Sequence, residues 1–172
     1  MPLNAIGLVE VSSIAKGYEA VDAMLKTASV QLLVARTICS GKYIIVVGGD
    51  VAAVASSVES GAAQAEGFLI EQRVIPRIHP GIFPAIAGSV DLDAGQAKAL
   101  GIVETFSAAS IIECADAAAK AADVIIFRVC LLYTSDAADD PLSVDLGGRR
   151  HIKKKNKLTT NIIPPQHLQS NT

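Results

Sequence analysis

Tryptophan is absent from the 172 residues, aromatic residues make up only 4%, and charged residues only 19%. Soluble domains carry on average about 25% charged residues, so this chain has little charge with which to cover its surface. Long apolar runs are missing as well, because none approaches the roughly 20 residues that cross a bilayer. The N-terminus has no basic stretch followed by a cleavage site. The sequence therefore predicts neither a membrane span nor a secretory leader.

The chain also lacks an excess of basic residues and a regular set of cysteines. The net charge of −2 argues against nucleic acid as a partner, because phosphate binding needs a basic surface. Cys39, Cys114 and Cys130 are an odd number with no close pair, which excludes a disulfide framework and a CxxC metal site. We expect a cytoplasmic, Ala/Val-rich globular chain that buries apolar surface against other subunits.

A gapless internal repeat is the main feature that is present. Residues 7–30 align with residues 101–124 at an offset of 94. The identical pairs include Gly7/Gly101, Glu10/Glu104, Ser13/Ser107, Asp22/Asp116 and Lys26/Lys120. Shared composition does not account for so many matches, so the chain contains a duplicated domain.

Apolar spacing in the first copy predicts the order strand, helix, strand, strand, helix, strand. The predicted bounds are 6–11, 16–28, 31–38, 42–47, 51–66 and 68–74. This order is typical of a ferredoxin-like α+β domain. Gly48-Gly49-Asp50 is expected to end the third strand and to supply Asp50 as the N-cap of the next helix. Pro76, Pro80 and Pro84 are expected to interrupt regular structure after the last strand.

The second copy is expected to be incomplete, because correspondence with the first is lost just after Val129. Residues 130–139 (CLLYTSDAAD) resemble the translation of a transposase-type sequencing adapter, and residues 144–150 (VDLGGRR) resemble its primer. The alternative is a genuine divergent tail, and finding residues 130–172 encoded in the genomic DNA would contradict the artefact interpretation. The predicted organisation is a first domain over 1–88, a linker over 89–98, a truncated second domain over 99–129 and a non-native tail over 130–172.

Three segments, IGLVEVSSIAKGYEAVDAMLKTASV, LLVARTICSGKYIIVVGGDVAAV and VIPRIHPGI, resemble the bacterial microcompartment (BMC) shell proteins. The duplication resembles their tandem-domain type, in particular the iron–sulfur-binding type of propanediol-utilisation compartments. The resemblance implies a non-enzymatic homotrimer whose six BMC domains form a pseudohexameric tile. Tiles would pack with other microcompartment shell proteins around encapsulated enzymes in the bacterial cytoplasm.

The resemblance also implies that Cys39, Ser40 and Gly41 form the turn that lines the central pore. A threefold axis would bring three Cys39 thiolates together, and thiolates are the ligands of a [4Fe–4S] cluster. From the residues alone, a small buried hydrophobe is the favoured interpretation of Cys39. Cys114 is expected in a helix core, and Cys130 falls in the predicted tail. Two other functions stay open: a metabolite-conducting tile without a cluster, and a ferredoxin-like sensor of a small ligand.

Charged residues that the resemblance places at the tile edge are Lys26, Lys120, Arg77 and His79. The alternatives are a solvated helix face for Lys26 and a capped surface histidine for His79. Gly48-Gly49-Asp50 lacks both G-x-G-x-x-G and G-K-[ST], so no nucleotide site is predicted. Glu10 and Glu104 are expected to make a shared structural contact, since they recur at one repeat position.

Overall fold

The computed structural model describes residues 3–93, 95 and 99–131, with Ser40 described by its backbone only. These residues belong to one structural unit, residues 1–136. The predicted tail lies outside the described residues from position 132 onward, as do residues 94 and 96–98 of the predicted linker.

Four strands and two long helices make up the first domain. In chain order they are β1 (Ala5–Val11), α1 (Ile14–Thr27), β2 (Gln31–Ile38), β3 (Lys42–Gly49), α2 (Val51–Gln64) and β4 (Leu69–Pro76). All neighbouring strands are antiparallel, in the spatial order β2-β3-β1-β4. The predicted ferredoxin-like α+β fold is confirmed.

Local side chains fix where the two long helices begin. The Ser13 hydroxyl accepts a hydrogen bond from the Lys16 amide at 3.4 Å, which caps α1. The Asp50 carboxylate accepts from the Ala52 amide at 2.9 Å and so caps α2, as predicted. Strand β3 ends within Gly48-Gly49-Asp50, as predicted, but it runs to Gly49, two residues beyond the predicted bound, because Gly48 and Gly49 still pair with β1.

Both faces of the two central strands are buried. Odd-numbered residues of β1 and β3 face α1 and α2 in one cluster of buried side chains, which includes Val9, Met24, Ile45 and Val58. Even-numbered residues form a second cluster on the opposite face, which includes Ile6, Leu8, Ile44, Ile82 and Ile112. A strand buried on both faces reads as a continuous apolar run, and β1 and β3 have that appearance.

Close packing of α2 against β1 depends on Gly7. A Cβ at this position would lie 2.5 Å from Cγ2 of Val58 and 2.7 Å from Cγ1 of Val54. Both neighbours are β-branched and stiff, so any larger residue would push the helix from the sheet.

Two further helices cover the second face of the sheet. The short helix α3 (Ile82–Ala87) contains Pro84, which the sequence predicted to be a breaker. Pro84 is tolerated because it occupies the first turn, where amides have no partner within the helix. The helix ends at Gly88, which has a left-handed φ of 68°.

Within residues 99–131, the second copy forms its helix but no strand. Helix α4 (Ala108–Ala121) follows its N-cap Ser107, as α1 follows Ser13. The counterpart of β1 and the strand-like run Val124–Phe127 are not strands, which corrects the expectation from the repeat. Strands need neighbours with which to pair, and Ile102 and Phe106 are 79% and 98% exposed.

Candidate functional site

The predicted pore residues form one tight turn between β2 and β3. Cys39–Gly41 is a single 3₁₀ turn, and Ile38 pairs with Lys42 directly behind it. Gly41 has a φ of 74° and open space where a Cβ would be. Side chains rarely adopt this left-handed conformation, so the turn requires glycine for its backbone. Cys39 is half-buried and Gly41 is exposed.

A partly buried ion pair lies directly after this turn, and the sequence prediction missed one of its members. The Lys42 ammonium lies 3.0 Å from Oε1 of Glu10. Glu10 is only 1% exposed, whereas the Lys42 side chain is 31% exposed. Glu10 and Glu104 were expected to make the same structural contact in the two copies. Glu104 is exposed, so the buried contact of Glu10 is not repeated in the second copy.

Ionisation of the neighbouring tyrosine is shifted by its surroundings. Burial raises the pKa of Tyr43, and the adjacent Tyr18, whose ring centroid is 5.1 Å away, raises it further. On α1, a hydrogen bond from the Lys16 ammonium lowers the pKa of Glu19, and a second bond from the Gln64 amide acts in the same direction.

The turn lies at the opposite end of the sheet from the predicted edge residues. Strand β1 ends beside the turn, where Val11 pairs with Tyr43. It begins at the other end, where Ala5 pairs with Pro76 and Arg77 follows. The turn and Arg77 therefore lie at opposite ends of the domain. A ring of domains could then have the turns at its centre and the Arg77 side chains at its periphery.

Lys26 lies in the last turn of α1. The helix starts just after β1 and its 14 residues span about 21 Å, which returns Lys26 to the end of the sheet where β1 begins. The Lys26 ammonium binds the Asp22 carboxylate at 2.7 Å, with side-chain exposures of 74% and 62%. Such an exposed pair contributes little to stability, so both groups are accessible to a neighbouring molecule.

His79 and Lys120 meet through one carboxylate. The His79 amide donates to Oδ1 of Asp116 at 2.7 Å, and Lys120 binds Oδ2 of the same residue. The ring Nδ1 of His79 accepts a hydrogen bond from the Gly81 amide at 3.2 Å. Of the two predicted edge residues, His79 contacts α4 through its backbone amide, and Lys120 binds Asp116 within α4 itself.

Arg77 has an unusual backbone conformation. It is exposed, and its φ of 52° lies in the left-handed region that side chains rarely enter. It follows Pro76 at the end of β4 and precedes the buried Ile78. The strained turn projects the guanidinium outward while Ile78 stays in the core.

The cysteines are not grouped into a metal site within the described part of one chain. Cys39 and Cys114 are half-buried and Cys130 is exposed. Among the residues described, no three His, Cys, Asp or Glu side chains are grouped to hold a metal ion. A [4Fe–4S] cluster needs several thiolates, so the residues fit one only where symmetry brings several Cys39 side chains together.

Comparison with known proteins agrees with this fold. The BMC domain model matches residues 5–78 and 99–135. The chain is 48% identical over 130 residues to the bacterial microcompartment shell protein PduT of Citrobacter freundii, covering 76% of this chain and 70% of that protein. The chain belongs to the bacterial microcompartment shell protein family. The predicted resemblance is confirmed.

Other relatives of this shell protein match more narrowly. It is 41% identical over 81 residues to shell protein PduA of Salmonella typhimurium, covering 46% of this chain and 86% of that protein. A solved microcompartment protein from Desulfitobacterium hafniense has a TM-score of 0.60 and 43% identity, with 70% of this chain and 66% of that chain covered. The relatives are structural shell proteins, and this chain has a tandem BMC fold with a truncated second copy. No helix in the described part of the chain is long and apolar enough to span a membrane.

Proposed function

We propose that this shell protein forms trimeric tiles in which the Cys39 turns of three subunits meet at a central pore and hold a [4Fe–4S] cluster. The observation that carries the proposal is the placement of Cys39 in a tight turn at the end of the sheet opposite Lys26 and Arg77. A cyclic trimer places one copy of each residue around the axis, so it supplies three thiolates where one chain supplies one.

The residues around the turn would prepare it for this role. Gly41 lets the hairpin reverse within three residues, and the Glu10–Lys42 pair fixes the start of β3. When bound, the cluster would supply one-electron redox chemistry, which suits electron or iron–sulfur transfer across a shell.

The outer end of each domain is proposed to make the contacts between tiles. Lys26 and Arg77 are exposed at that end, and His79 and Lys120 lie close to the Asp116 contact beside it. Partners would be other shell proteins and encapsulated enzymes, inside the bacterial cytoplasm.

Anaerobic purification of the protein expressed from its genomic locus tests the cluster. Cys39→Ser should lose iron and visible absorbance while the trimer persists, and the matched Cys114→Ser variant should keep both. A trimer that never contains iron would favour a pore that conducts metabolites, with Cys39 as a small polar lining residue. A soluble oligomer that never forms sheets would favour a sensor.

A further inference from the structure

A cavity of about 490 Å³ lies in the second copy. The residues that line it include residues 102–106, Ile111 of α4, and residues 130 and 131. At the offset of 94, residues 102–105 match the second half of β1, and residues 130 and 131 match the end of β2. In the first domain β1 and β2 are not neighbours, because β3 lies between them. The cavity is thus lined by the counterparts of the two strands that border β3.

This match to the contacts of β3 holds position by position. Residues 102–105 correspond to residues 8–11 of β1, which pair with residues 43–46 of β3. Residues 130 and 131 correspond to residues 36 and 37 of β2, which pair with two residues of the same stretch. One short strand could therefore contact both groups of residues that line the cavity.

A carboxylate in the cavity stands at the position where the first domain binds the lysine of β3. Glu104 lines the cavity and is exposed, and it has no ion-pair partner among the described residues. Its counterpart Glu10 binds the Lys42 ammonium at 3.0 Å, and Lys42 is the first residue of β3. A lysine at the start of an incoming strand would give Glu104 the same opposite charge.

Helix α4 limits the size of one side chain on such a strand. In the first domain Gly17 of α1 packs against Tyr43 of β3, and a Cβ at Gly17 would lie 2.5 Å from the tyrosine ring. The residue that corresponds to Gly17 is Ile111, whose larger side chain lines the cavity. The counterpart of Tyr43 on an incoming strand must therefore be a small residue.

The cavity also offers apolar side chains and backbone donors to a strand. Ile102 and Val103 are 79% and 58% exposed, whereas the matching Leu8 and Val9 are fully buried. No amide of residues 102–105 donates a hydrogen bond to another described backbone group. A strand that pairs here would bury the apolar side chains and satisfy the amides.

The sequence does not provide a second β3 at the expected place in the repeat. Residues 136–143, at the offset of 94 from β3, read DAADDPLS. They include neither a lysine nor a β-branched residue, and Pro141 has no amide hydrogen to give to a central strand.

We propose that residues 102–105, Ile111 and residues 130–131 form a strand-accepting groove, which binds a strand of the β3 type from a separate polypeptide. The strand would begin with a lysine for Glu104, continue with a small residue beneath Ile111, and then carry β-branched apolar residues. Main-chain hydrogen bonds would supply affinity, and the lysine and the small residue would supply specificity. This binding activity goes beyond the proposed function, since it needs neither a cluster nor a trimer.

Fluorescence polarisation tests the groove with the 172-residue chain and three peptides labelled at the C-terminal end. The peptides are residues 42–49 with Tyr43→Ala, the unchanged residues 42–49, and a scrambled form of the first. The Tyr43→Ala peptide should bind saturably. The unchanged peptide should bind about tenfold more weakly, because its ring would overlap Ile111. Ile111→Ala in the chain should restore the binding of the unchanged peptide.

A double-mutant cycle tests the contact between the strand and Glu104. Glu104→Gln in the chain should weaken the binding of the Tyr43→Ala peptide about tenfold, since it removes a charged hydrogen bond. Glu59→Gln is the matched control, because it changes an exposed helix carboxylate outside the groove and should leave the affinity unchanged. A peptide that also carries Lys42→Met should bind weakly to the wild type and no more weakly to Glu104→Gln.

Hydrogen exchange locates the bound peptide, which should slow exchange at residues 102–105. A Tyr43→Ala peptide that binds no better than the scrambled one would overturn the proposal, and so would equal affinities for Glu104→Gln and Glu59→Gln. Slower exchange in β2 or β4 instead, the edge strands of the first domain, would place the peptide outside the groove and also overturn it. Iron content plays no part in these readouts, so loss of the groove and loss of the cluster are separate results.

Discussion

At the residue scale, the Glu10–Lys42 pair is a partly buried polar contact directly after the Cys39–Gly41 turn. A carboxylate that is 1% exposed is stable in its charged form only with a partner, and Lys42 is the partner next to the turn. The two residues are 32 positions apart, so no local pattern relates them.

Lys42→Met is expected to destabilise the protein by about 2–3 kcal/mol. This is below the roughly 3–5 kcal/mol of a fully buried pair, because the ammonium is partly solvated. Glu10→Met/Lys42→Met should recover most of the loss. Urea denaturation measures the free energy of unfolding of both variants. Lys16→Ala serves as the control, because it breaks an exposed ion pair and should have only a small effect. A Lys42→Met loss no larger than that of Lys16→Ala would contradict a supporting role.

Tyr43 predicts a dependence on alkaline pH. Its pKa is raised by burial above the usual 10.0, so the folded protein keeps the proton after the unfolded chain has lost it. Its contribution to stability is therefore complete below pH 10 and declines as the pH rises above that value. Between about pH 8 and 11, the free energy of unfolding of Tyr43→Phe should fall less steeply with pH than that of the wild type. If the two proteins lost stability in parallel, Tyr43 would ionise in the folded protein as it does in the unfolded chain.

At the element scale, local signals predicted the first domain well because they lie within a few residues of each other. Ser13 and Asp50 mark helix starts, and Cys39–Gly41 marks the turn between two apolar strands. The structure departs from prediction where the cause is distant. The second copy of β1 has the right sequence but no neighbouring strand among the described residues, so it does not pair.

The candidate site could be predicted only in part for the same reason. The turn is local, and so was found, whereas the Asp116–His79 contact joins residues 37 positions apart. The signal that could have found it is the repeat itself. Asp22 and Asp116 are identical, and only one of them has its helix face covered within the described part of the chain.

Gly7→Ala should destabilise the packing of α2 on β1 by about 1–3 kcal/mol, because the new methyl would overlap Val58. The matched control is Gly101→Ala at the equivalent position of the second copy, where nothing described lies within 4 Å and little change is expected. Thermal unfolding compares the two, and Gly7→Ala/Val58→Ala should regain part of the stability. Equal effects of the two single variants would contradict the close approach of α2.

At the scale of the whole molecule, the low charge of the sequence agrees with the exposed apolar face of α1 and with a protein that buries its sides against neighbours. The first domain has the Cys39–Gly41 turn at one end of its sheet and the exposed Arg77 at the other.

Assembly of tiles into sheets should depend on the charged end. Lys26→Ala/Arg77→Ala is expected to leave the soluble oligomer intact and to reduce sheet formation, because both side chains are exposed where neighbouring tiles would meet. Electron microscopy of the variant measures this against Glu59→Ala. If the variant formed sheets as extensive as those of the wild type, Lys26 and Arg77 would not contribute to the contacts between tiles.

The stoichiometry of iron in the trimer tests the central proposal most directly. Native mass spectrometry of the anaerobically purified protein, expressed from its locus, should find four iron atoms for every three chains, the ratio of one [4Fe–4S] cluster at a threefold axis. Cys39→Ser trimers should contain none. Wild-type trimers without iron, or Cys39→Ser trimers that retain it, would contradict a cluster held by Cys39.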